Sequence, residues 1–136
     1  MEIQELATRA LENRSKAYAP YSKFQVGAAL LTDDNEIFDG ANIENASFGL
    51  TICAERVAVT NAVVAGKKNF KAIAIACGSG DYCRPCGACR QFLAEFSPEM
   101  DVIMVNDKGA SETVSLLELL PRNFSNSSLE GGSKGV

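Results

Sequence analysis

The stretch FKAIAIAC, residues 70–77, decides the fold of this chain because it is apolar at almost every position. A strand with one face in water alternates apolar and polar side chains, whereas a strand covered on both faces is apolar nearly throughout. Residues 70–77 therefore predict a strand at the centre of a sheet that carries helices on both of its faces.

The segments around this strand alternate between helical and strand patterns. The predicted elements are a helix over 3–18, a hairpin of strands at 24–31 and 36–39, a helix over 53–65, a helix over 85–96, a strand at 101–106, a weaker strand at 112–115 and a short helix at 116–120. Such an order is typical of layered α/β proteins. We predict a single three-layer α/β/α domain over residues 1–136, with a mixed central sheet of about five strands and a loosely ordered tail at 125–136.

The composition excludes several classes of partner. The chain has 136 residues, a formal net charge of −4 and no cluster of lysine or arginine, so nucleic acid is not expected to bind. No run approaches the ~18–20 apolar residues of a membrane span, and the N-terminus lacks the apolar core of a signal peptide. We expect a cytoplasmic protein that binds a small molecule and no membrane.

Histidine is absent from the sequence, and cysteine occurs five times. The absence of histidine rules out Ser-His-Asp and Cys-His catalysis, together with every metal site that needs an imidazole. An odd number of cysteines in a reducing compartment favours thiolate chemistry or a metal over a set of disulfides. Any metal in this chain must therefore be held by cysteine or by carboxylates.

Three of the cysteines are spaced as metal ligands. Cys86 and Cys89 are three residues apart at the start of a predicted helix, where both sulfurs can face one ion. Cys53 opens the preceding helix, and helices that follow strands begin at the same carboxyl edge of an α/β sheet. A Cys-x-x-Cys pair alone would also fit a redox protein. The distant third cysteine, with Glu55 two residues after it, favours a metal site instead.

The three motifs carry a resemblance to a known family. The pattern in this chain is Cys-x-Glu followed about thirty residues later by Pro-Cys-x-x-Cys, which is similar to the signature of zinc nucleobase deaminases. The segments TICAERVA (51–58), RPCGACRQ (84–91) and NIENASF (42–48) closely resemble the small homotetrameric cytidine deaminases. The resemblance runs from YAPYSKFQVGAAL (18–30) to ELLPRNF (118–124), so it spans nearly the whole chain.

This resemblance implies an activity and a cofactor. It implies one Zn²⁺ per chain, held by Cys53, Cys86 and Cys89, and the hydrolytic deamination of cytidine and 2'-deoxycytidine to uridine and 2'-deoxyuridine, with release of ammonia, in pyrimidine salvage. It further implies attack of a zinc-activated hydroxide at C4 of the base, with Glu55 as the proton shuttle. Because residues i and i+2 point apart on a regular helix, the resemblance also implies that Cys53 sits where the helix has not yet become regular.

Arg56 is expected to balance the charge of the site. Three thiolates on Zn²⁺ leave a net charge of −1, which works against the acidification of water. The N-termini of two helices supply about +0.5 each, and the resemblance implies that Arg56 donates hydrogen bonds to the thiolates. The alternative is that Arg56 pairs with a carboxylate on the surface.

The resemblance also implies a set of substrate-binding residues: Phe24, Asn42, Glu44, Ala54 and Phe124. Phe24 would flank the nucleoside, Asn42 and Glu44 would bind the ribose hydroxyls, and Phe124 would reach into the site of a neighbouring subunit, which makes the expected assembly a homotetramer with shared active sites. On pattern alone, Phe24 could equally be a core aromatic. Phe48 stands where the family is expected to have tyrosine, so a contact through a tyrosine hydroxyl is in doubt.

Two other functions stay open on the sequence alone. Cys83 as a fourth ligand would close the site and make it a structural zinc in a binding domain without catalysis. Deamination of a cytosine-bearing antibiotic of the blasticidin type would use the same two motifs. We expect Cys83 to lie off the helix face shared by Cys86 and Cys89, and Cys77 to be a small buried side chain.

Overall fold

The computed structural model describes residues 3–78, 80–125 and 129. Its helices and strands, in chain order, are α1 (Ile3–Asn13), β1 (Val26–Thr32), β2 (Ile37–Ala41), α2 (Ala54–Val64), β3 (Phe70–Cys77), α3 (Gly87–Ala94), β4 (Asp101–Val105), β5 (Ser111–Ser115) and α4 (Leu116–Leu119). Two 3₁₀ turns lie at Arg14–Lys16 and Phe48–Leu50, and isolated β-bridges join Ile43 to Tyr18 and to Ile52. None of the helices in these ranges has the length and apolar character needed to cross a membrane.

The sheet has five strands in the order β2-β1-β3-β4-β5, with β3 in the middle. β3 pairs with β4 in parallel, and the other neighbouring pairs are antiparallel. The sheet is therefore mixed, and residues 70–77 form its central strand. The predicted α/β fold with about five strands is confirmed.

Both faces of β3 are buried, as its sequence predicts. Ile73, Ile75 and Cys77 point into a core shared with α2 and α3, and the alanines between them point into a second core shared with α1. The small alanine side chains let α1 approach the sheet closely. The approach is closest at Gly27, where an added Cβ would lie 2.1 Å from the carbonyl oxygen of Ala10.

The N-terminal end of α2 is held against strand β2 by a second close approach. A Cβ at Gly40 would lie 2.3 Å from the carbonyl oxygen of Ala54 and 2.6 Å from the amide nitrogen of Ala58. Only glycine leaves room for the first turn of α2 to lie directly on the strand. This contact fixes the position from which Cys53 and Glu55 project.

The structure corrects three predicted boundaries. The first helix ends at Asn13 rather than at residue 18, because the buried Asn13 side chain donates hydrogen bonds to the Ala28 carbonyl and the Asp39 carboxylate and ties the helix end to the sheet. The strand predicted from Phe24 begins at Val26. Pro85 lies before α3, whose N-cap is Cys86. Most of the tail predicted to be loosely ordered lies outside the described residues.

Candidate metal centre and active site

Three thiols meet where α2 and α3 begin. Cys53 is the N-cap of α2, Cys86 is the N-cap of α3, and Cys89 lies one turn further along α3. Their sulfur atoms all lie within 4.8 Å of one another. The backbone amide of Cys89 also donates a hydrogen bond to the sulfur of Cys86, at 3.4 Å. The two segments, more than thirty residues apart in sequence, thus form one cluster at one edge of the sheet.

The backbone conformation of Cys53 allows both Cys53 and Glu55 to face the same space. Cys53 is extended, with φ −71° and ψ 153°, and the helix begins only at the next residue. The helical rule that separates positions i and i+2 therefore does not apply to this pair. Both residues line one cavity of about 250 Å³.

Arg56 lies beside the thiol cluster and not on a surface carboxylate. Its Nη2 donates to the sulfur of Cys53 at 3.7 Å, and its Nε is buried with no hydrogen-bond partner among the described residues. The pKa of Cys53 falls to about 5, because the Cys89 thiol donates a hydrogen bond to it and because Arg56 adds a hydrogen bond and a positive charge. The hydrogen bond to Cys53 and burial raise the pKa of Cys89.

The cluster fits a thiophilic dication. In a tetrahedral zinc site with Zn–S bonds of about 2.3 Å, the sulfurs are about 3.8 Å apart. The three sulfurs here lie within 4.8 Å of one another, which is compatible with that distance. The unpartnered Nε of Arg56 adds a donor beside sulfurs that metal binding would make fully anionic. Three protein ligands leave the fourth position for water or substrate, as catalytic zinc sites require.

Glu55 is a buried carboxyl next to the cluster. Glu55 is only 5% exposed. Burial is the largest effect that raises the pKa of its carboxyl, and the negative charge of Cys53 raises it further. A carboxyl group whose environment disfavours the charged form keeps its proton to a higher pH than an exposed carboxyl does. Glu55 thus places a buried carboxyl with a raised pKa in the same cavity as the thiols.

The structure brings most of the predicted site residues to one cavity. Of those residues, Phe24, Asn42, Cys53, Ala54, Glu55 and Cys86 line it. Cys89 lies behind Cys86 and is fully buried. Four further residues of the wall were not singled out from the sequence: Val26, Thr51, Ile75 and Arg84. Thr51 and Arg84 each lie within two residues of a ligand cysteine, which is the only signal that could have indicated them.

Asn42 is largely occupied in bracing the chain at Phe24. Its side-chain oxygen accepts from the amide of Val26 and its side-chain nitrogen donates to the carbonyl of Phe24, both at 2.9 Å. An amide group has two N–H donors and two oxygen lone pairs, so one of each remains. Asn42 can therefore meet a sugar hydroxyl only while it also holds the Phe24 segment in place.

Glu44 lies in an adjoining cavity rather than in the cavity of the thiols. This second cavity has a volume of about 360 Å³ and is lined by Tyr21, Ser22, Glu44, Phe48 and Thr51. Thr51 lines both cavities, so they are neighbours. The ring of Phe48 packs edge-on against Tyr21, with centroids 6.2 Å apart, and the Phe48 residue is 73% exposed.

Phe124 does not line the cavity of its own chain. It is 60% exposed, and its backbone carbonyl accepts a hydrogen bond from the side chain of Gln91, at 2.5 Å. Gln91 lies on α3, two residues after Cys89, so the contact anchors the segment of Phe124 beside the thiol-bearing helix. Phe124 is thus an exposed aromatic residue beside α3.

Cys83 stays outside the thiol cluster. It is buried and lines the cavity wall, but its thiol is hydrogen-bonded to the free thiol of Cys77. Burial, and to a smaller extent this hydrogen bond, raise the pKa of Cys83. Within residues 3–78 and 80–125, the metal-ligand group contains Cys53, Cys86 and Cys89 and no fourth thiol. The geometry therefore favours an open site over the closed four-cysteine alternative.

A three-thiol cluster with an open position, a buried carboxyl beside it and an α/β scaffold define a metal-dependent enzyme of the deaminase type. Residues 1–105 match the family model described as "Cytidine and deoxycytidylate deaminase zinc-binding region". The chain belongs to this family of zinc-binding deaminases.

Relatives match over almost the full chain. The cytidine deaminase of Sporosarcina psychrophila is 45% identical over 130 residues, which cover 95% of this chain and 96% of that one. The cytidine deaminase of Halalkalibacterium halodurans is 46% identical over 125 residues, covering 91% and 95%. The crystal structure of cytidine deaminase from Burkholderia pseudomallei superposes with a TM-score of 0.88 at 45% identity, over 91% of this chain and all of that chain.

Proposed function

We propose that this protein is a zinc-dependent cytidine deaminase that hydrolyses cytidine and 2'-deoxycytidine to uridine and 2'-deoxyuridine, with release of ammonia, for pyrimidine salvage in the cytoplasm. The observation that carries the proposal is the buried carboxyl of Glu55 in one cavity with the thiol cluster. Family membership and relatives of similar length support it. The five free cysteines suit a reducing compartment.

Cys53, Cys86 and Cys89 would hold one Zn²⁺ per chain. When bound, the metal acidifies water and so supplies the attacking oxygen at neutral pH. Arg56 and the N-termini of α2 and α3 would offset the negative charge of the three thiolates. Without that compensation, the ligand set would oppose the formation of a further negative charge at the site.

Glu55 would move the protons of the reaction. In the overall change an oxygen–C4 bond forms, the bond between C4 and the exocyclic amino group breaks, and one water is consumed for each ammonia released. Glu55 would accept a proton from the attacking water, deliver it to N3 of the base, and then carry the second proton to the departing amino group. Burial that raises the pKa of the Glu55 carboxyl favours uptake of a proton from the water, and the protonated carboxyl can then donate that proton onward.

The remaining residues of the cavity would position the nucleoside. Phe24 would lie against the base, and Ala54, fully buried at the first position of α2, would leave room for it. Asn42 and Glu44 would meet the sugar, which then extends past Thr51 from the first cavity into the second. A site whose polar groups hydrogen-bond to sugar hydroxyls binds analogues without those hydroxyls more weakly, because the polar groups are then left unpaired.

The proposed assembly is a homotetramer in which neighbouring subunits share active sites. Exposed apolar side chains support it, and they cluster: Tyr18 and Ile52 flank Ile43 through backbone bridges, and Tyr21 contacts Phe48. Large exposed apolar patches mark protein–protein contacts. Phe124, exposed in its own chain, would enter the site of a neighbour and stack on the base.

The proposed function is tested by following the ultraviolet absorbance of cytidine after addition of purified, zinc-loaded protein, together with the release of ammonia. Cytidine and 2'-deoxycytidine should be converted with one ammonia per nucleoside, and adenosine should not react. A blasticidin-type antibiotic serves as the competing substrate. Conversion of the antibiotic without conversion of either nucleoside would contradict the proposal.

A further inference from the structure

The Glu44 carboxylate is held by a short turn that precedes strand β1. Its Oε1 accepts from the backbone amides of Tyr21 and Ser22, at 3.0 and 3.1 Å, and its Oε2 accepts from the Ser22 hydroxyl. A carboxylate has about four acceptor positions. Three are taken by this turn, so one position, on Oε2, remains for a donor from outside.

The same Ser22 oxygen also holds the next substrate-facing residue. It accepts a hydrogen bond from the backbone amide of Phe24, at 3.0 Å. Between them lies Lys23, whose φ of +62° is a left-handed backbone conformation that is uncommon for residues other than glycine. The Ser22 hydroxyl thus donates one hydrogen bond to Glu44 and accepts one from the Phe24 amide, which closes the turn around Lys23.

The two residues that Ser22 joins line two neighbouring cavities. Phe24 lines the cavity of the thiol cluster, Glu44 lines the adjoining one, and Thr51 is common to both. Under the proposed function, a nucleoside that occupies both cavities would have its base on the Phe24 side and its sugar on the Glu44 side. The Ser22 hydroxyl would therefore be hydrogen-bonded to a residue at each end of that substrate.

We propose that Ser22 is a positioning residue, which directs the free Oε2 position of Glu44 toward a sugar hydroxyl and fixes the backbone of Phe24 beside the base. The inference rests on the proposed function for the identity of the substrate. Ser22 touches neither the reacting atoms nor the thiol cluster, so it acts through binding and not through chemistry. It makes the enzyme selective for nucleosides whose sugar can donate a hydrogen bond.

The hydrogen bonds also keep Glu44 ionised. The hydrogen bond from the Ser22 hydroxyl is the largest effect on the pKa of Glu44, and it lowers that pKa. Partial desolvation opposes it. The amides of Ser22 and Tyr21 and the charge of Lys23 lower the pKa further. An ionised carboxylate accepts hydrogen bonds and cannot donate them. This chemistry matches a hydroxyl donor on the sugar.

The first experiment compares Ser22→Ala with Ser22→Thr, which keeps the hydroxyl. For cytidine, Ser22→Ala should raise KM by about 10-fold, the scale of a hydrogen bond to a charged group, with kcat within about twofold and zinc content unchanged. Ser22→Thr should restore KM. Ser15→Ala is the matched control, because the Ser15 hydroxyl donates only to the nearby carbonyl of Glu12. An unchanged KM in Ser22→Ala, or no rescue by threonine, would overturn the proposal.

The second comparison uses 2',3'-dideoxycytidine, which lacks the donors that Glu44 would meet. With this substrate the effect of Ser22→Ala on KM should shrink to about twofold. An equal penalty on cytidine and on the dideoxy analogue would show that Ser22 serves the fold in general and would overturn the link to the sugar.

A third measurement keeps the inference separate from the proposed function. If the wild-type protein leaves cytidine unchanged, the proposed function fails, yet NMR titration of the Glu44 carboxyl still tests the positioning. Ser22→Ala should raise the pKa of Glu44 relative to the wild-type protein and to Ser15→Ala. An unchanged Glu44 pKa would overturn the inference whatever the activity.

Discussion

Arg56 donates a hydrogen bond to the sulfur of Cys53, at 3.7 Å, from a position one turn further along the same helix. The contact places a guanidinium beside the thiol cluster, and the hydrogen bond with Cys53 raises the pKa of Arg56. Groups in contact with metal ligands tune both the affinity for the metal and its chemistry.

Replacement of Arg56 should weaken the metal site without removing a ligand. We expect Arg56→Gln to lower the zinc affinity or the activity by about 10- to 100-fold, the usual scale for residues that contact metal ligands. Zinc competition with a colorimetric chelator measures the affinity. Arg122→Gln, at an exposed arginine, is the control. Equal zinc affinity and activity in the two variants would remove Arg56 from the account of the site.

The metal content should follow the three clustered thiols. Elemental analysis should find about one zinc per chain in the wild-type protein, as a single three-ligand site requires. Cys86→Ala should lose most of this zinc, whereas Cys83→Ser should retain both zinc and activity, because Cys83 lies outside the cluster. Loss of zinc from the Cys83 variant would mean that the site is closed by four cysteines.

The docking of α2 on strand β2 should tolerate no side chain at residue 40. Gly40→Ala places a Cβ about where the Ala54 carbonyl oxygen and the Ala58 backbone lie, so α2 must shift and carry Cys53 with it. We expect a lower melting temperature and reduced zinc content. Gly49→Ala, where an added Cβ meets nothing within 4 Å, should leave both unchanged. A Gly40→Ala protein of wild-type stability and zinc content would refute this packing argument.

Oligomer assembly should complete the active site through Phe124. Phe124→Ala should weaken substrate use by about 5- to 150-fold, the range of base–aromatic stacking, with zinc content unchanged. Mixing Glu55→Gln chains with Phe124→Ala chains should restore part of the activity after subunit exchange, since some sites then contain both side chains. Size-exclusion chromatography must show an oligomer. A fully active monomer would contradict the shared site and the homotetramer.

The layers of the fold follow from sequence patterns that depend on local chemistry. The continuous apolar run at 70–77 predicts a doubly covered strand because burial on both faces leaves no place for polar side chains. The thiol cluster follows from Cys-x-x-Cys spacing and from the rule that crossover helices begin at one edge of the sheet. Both arguments need only periodicity and topology.

Other features depend on contacts between distant segments and could not be predicted in this way. The end of α1 at Asn13 is set by hydrogen bonds to Ala28 and Asp39, which no helical pattern reveals. The bracing of Phe24 by Asn42 and the hold of Ser22 on Glu44 likewise join residues that are 18 and 22 positions apart. Nor does the sequence reveal that Glu44 lines the adjoining cavity rather than the cavity of the thiols.

The most direct test of the account is the turnover of a zinc-loaded Glu55→Gln protein. The substitution keeps the size of the side chain and touches no metal ligand, but glutamine cannot carry a proton. The account predicts that the variant binds about one zinc per chain and still binds cytidine, while kcat falls by a factor of about 10²–10⁴, the usual scale of general acid–base catalysis. A zinc-loaded Glu55→Gln protein that deaminates cytidine at the wild-type rate would contradict the central claim.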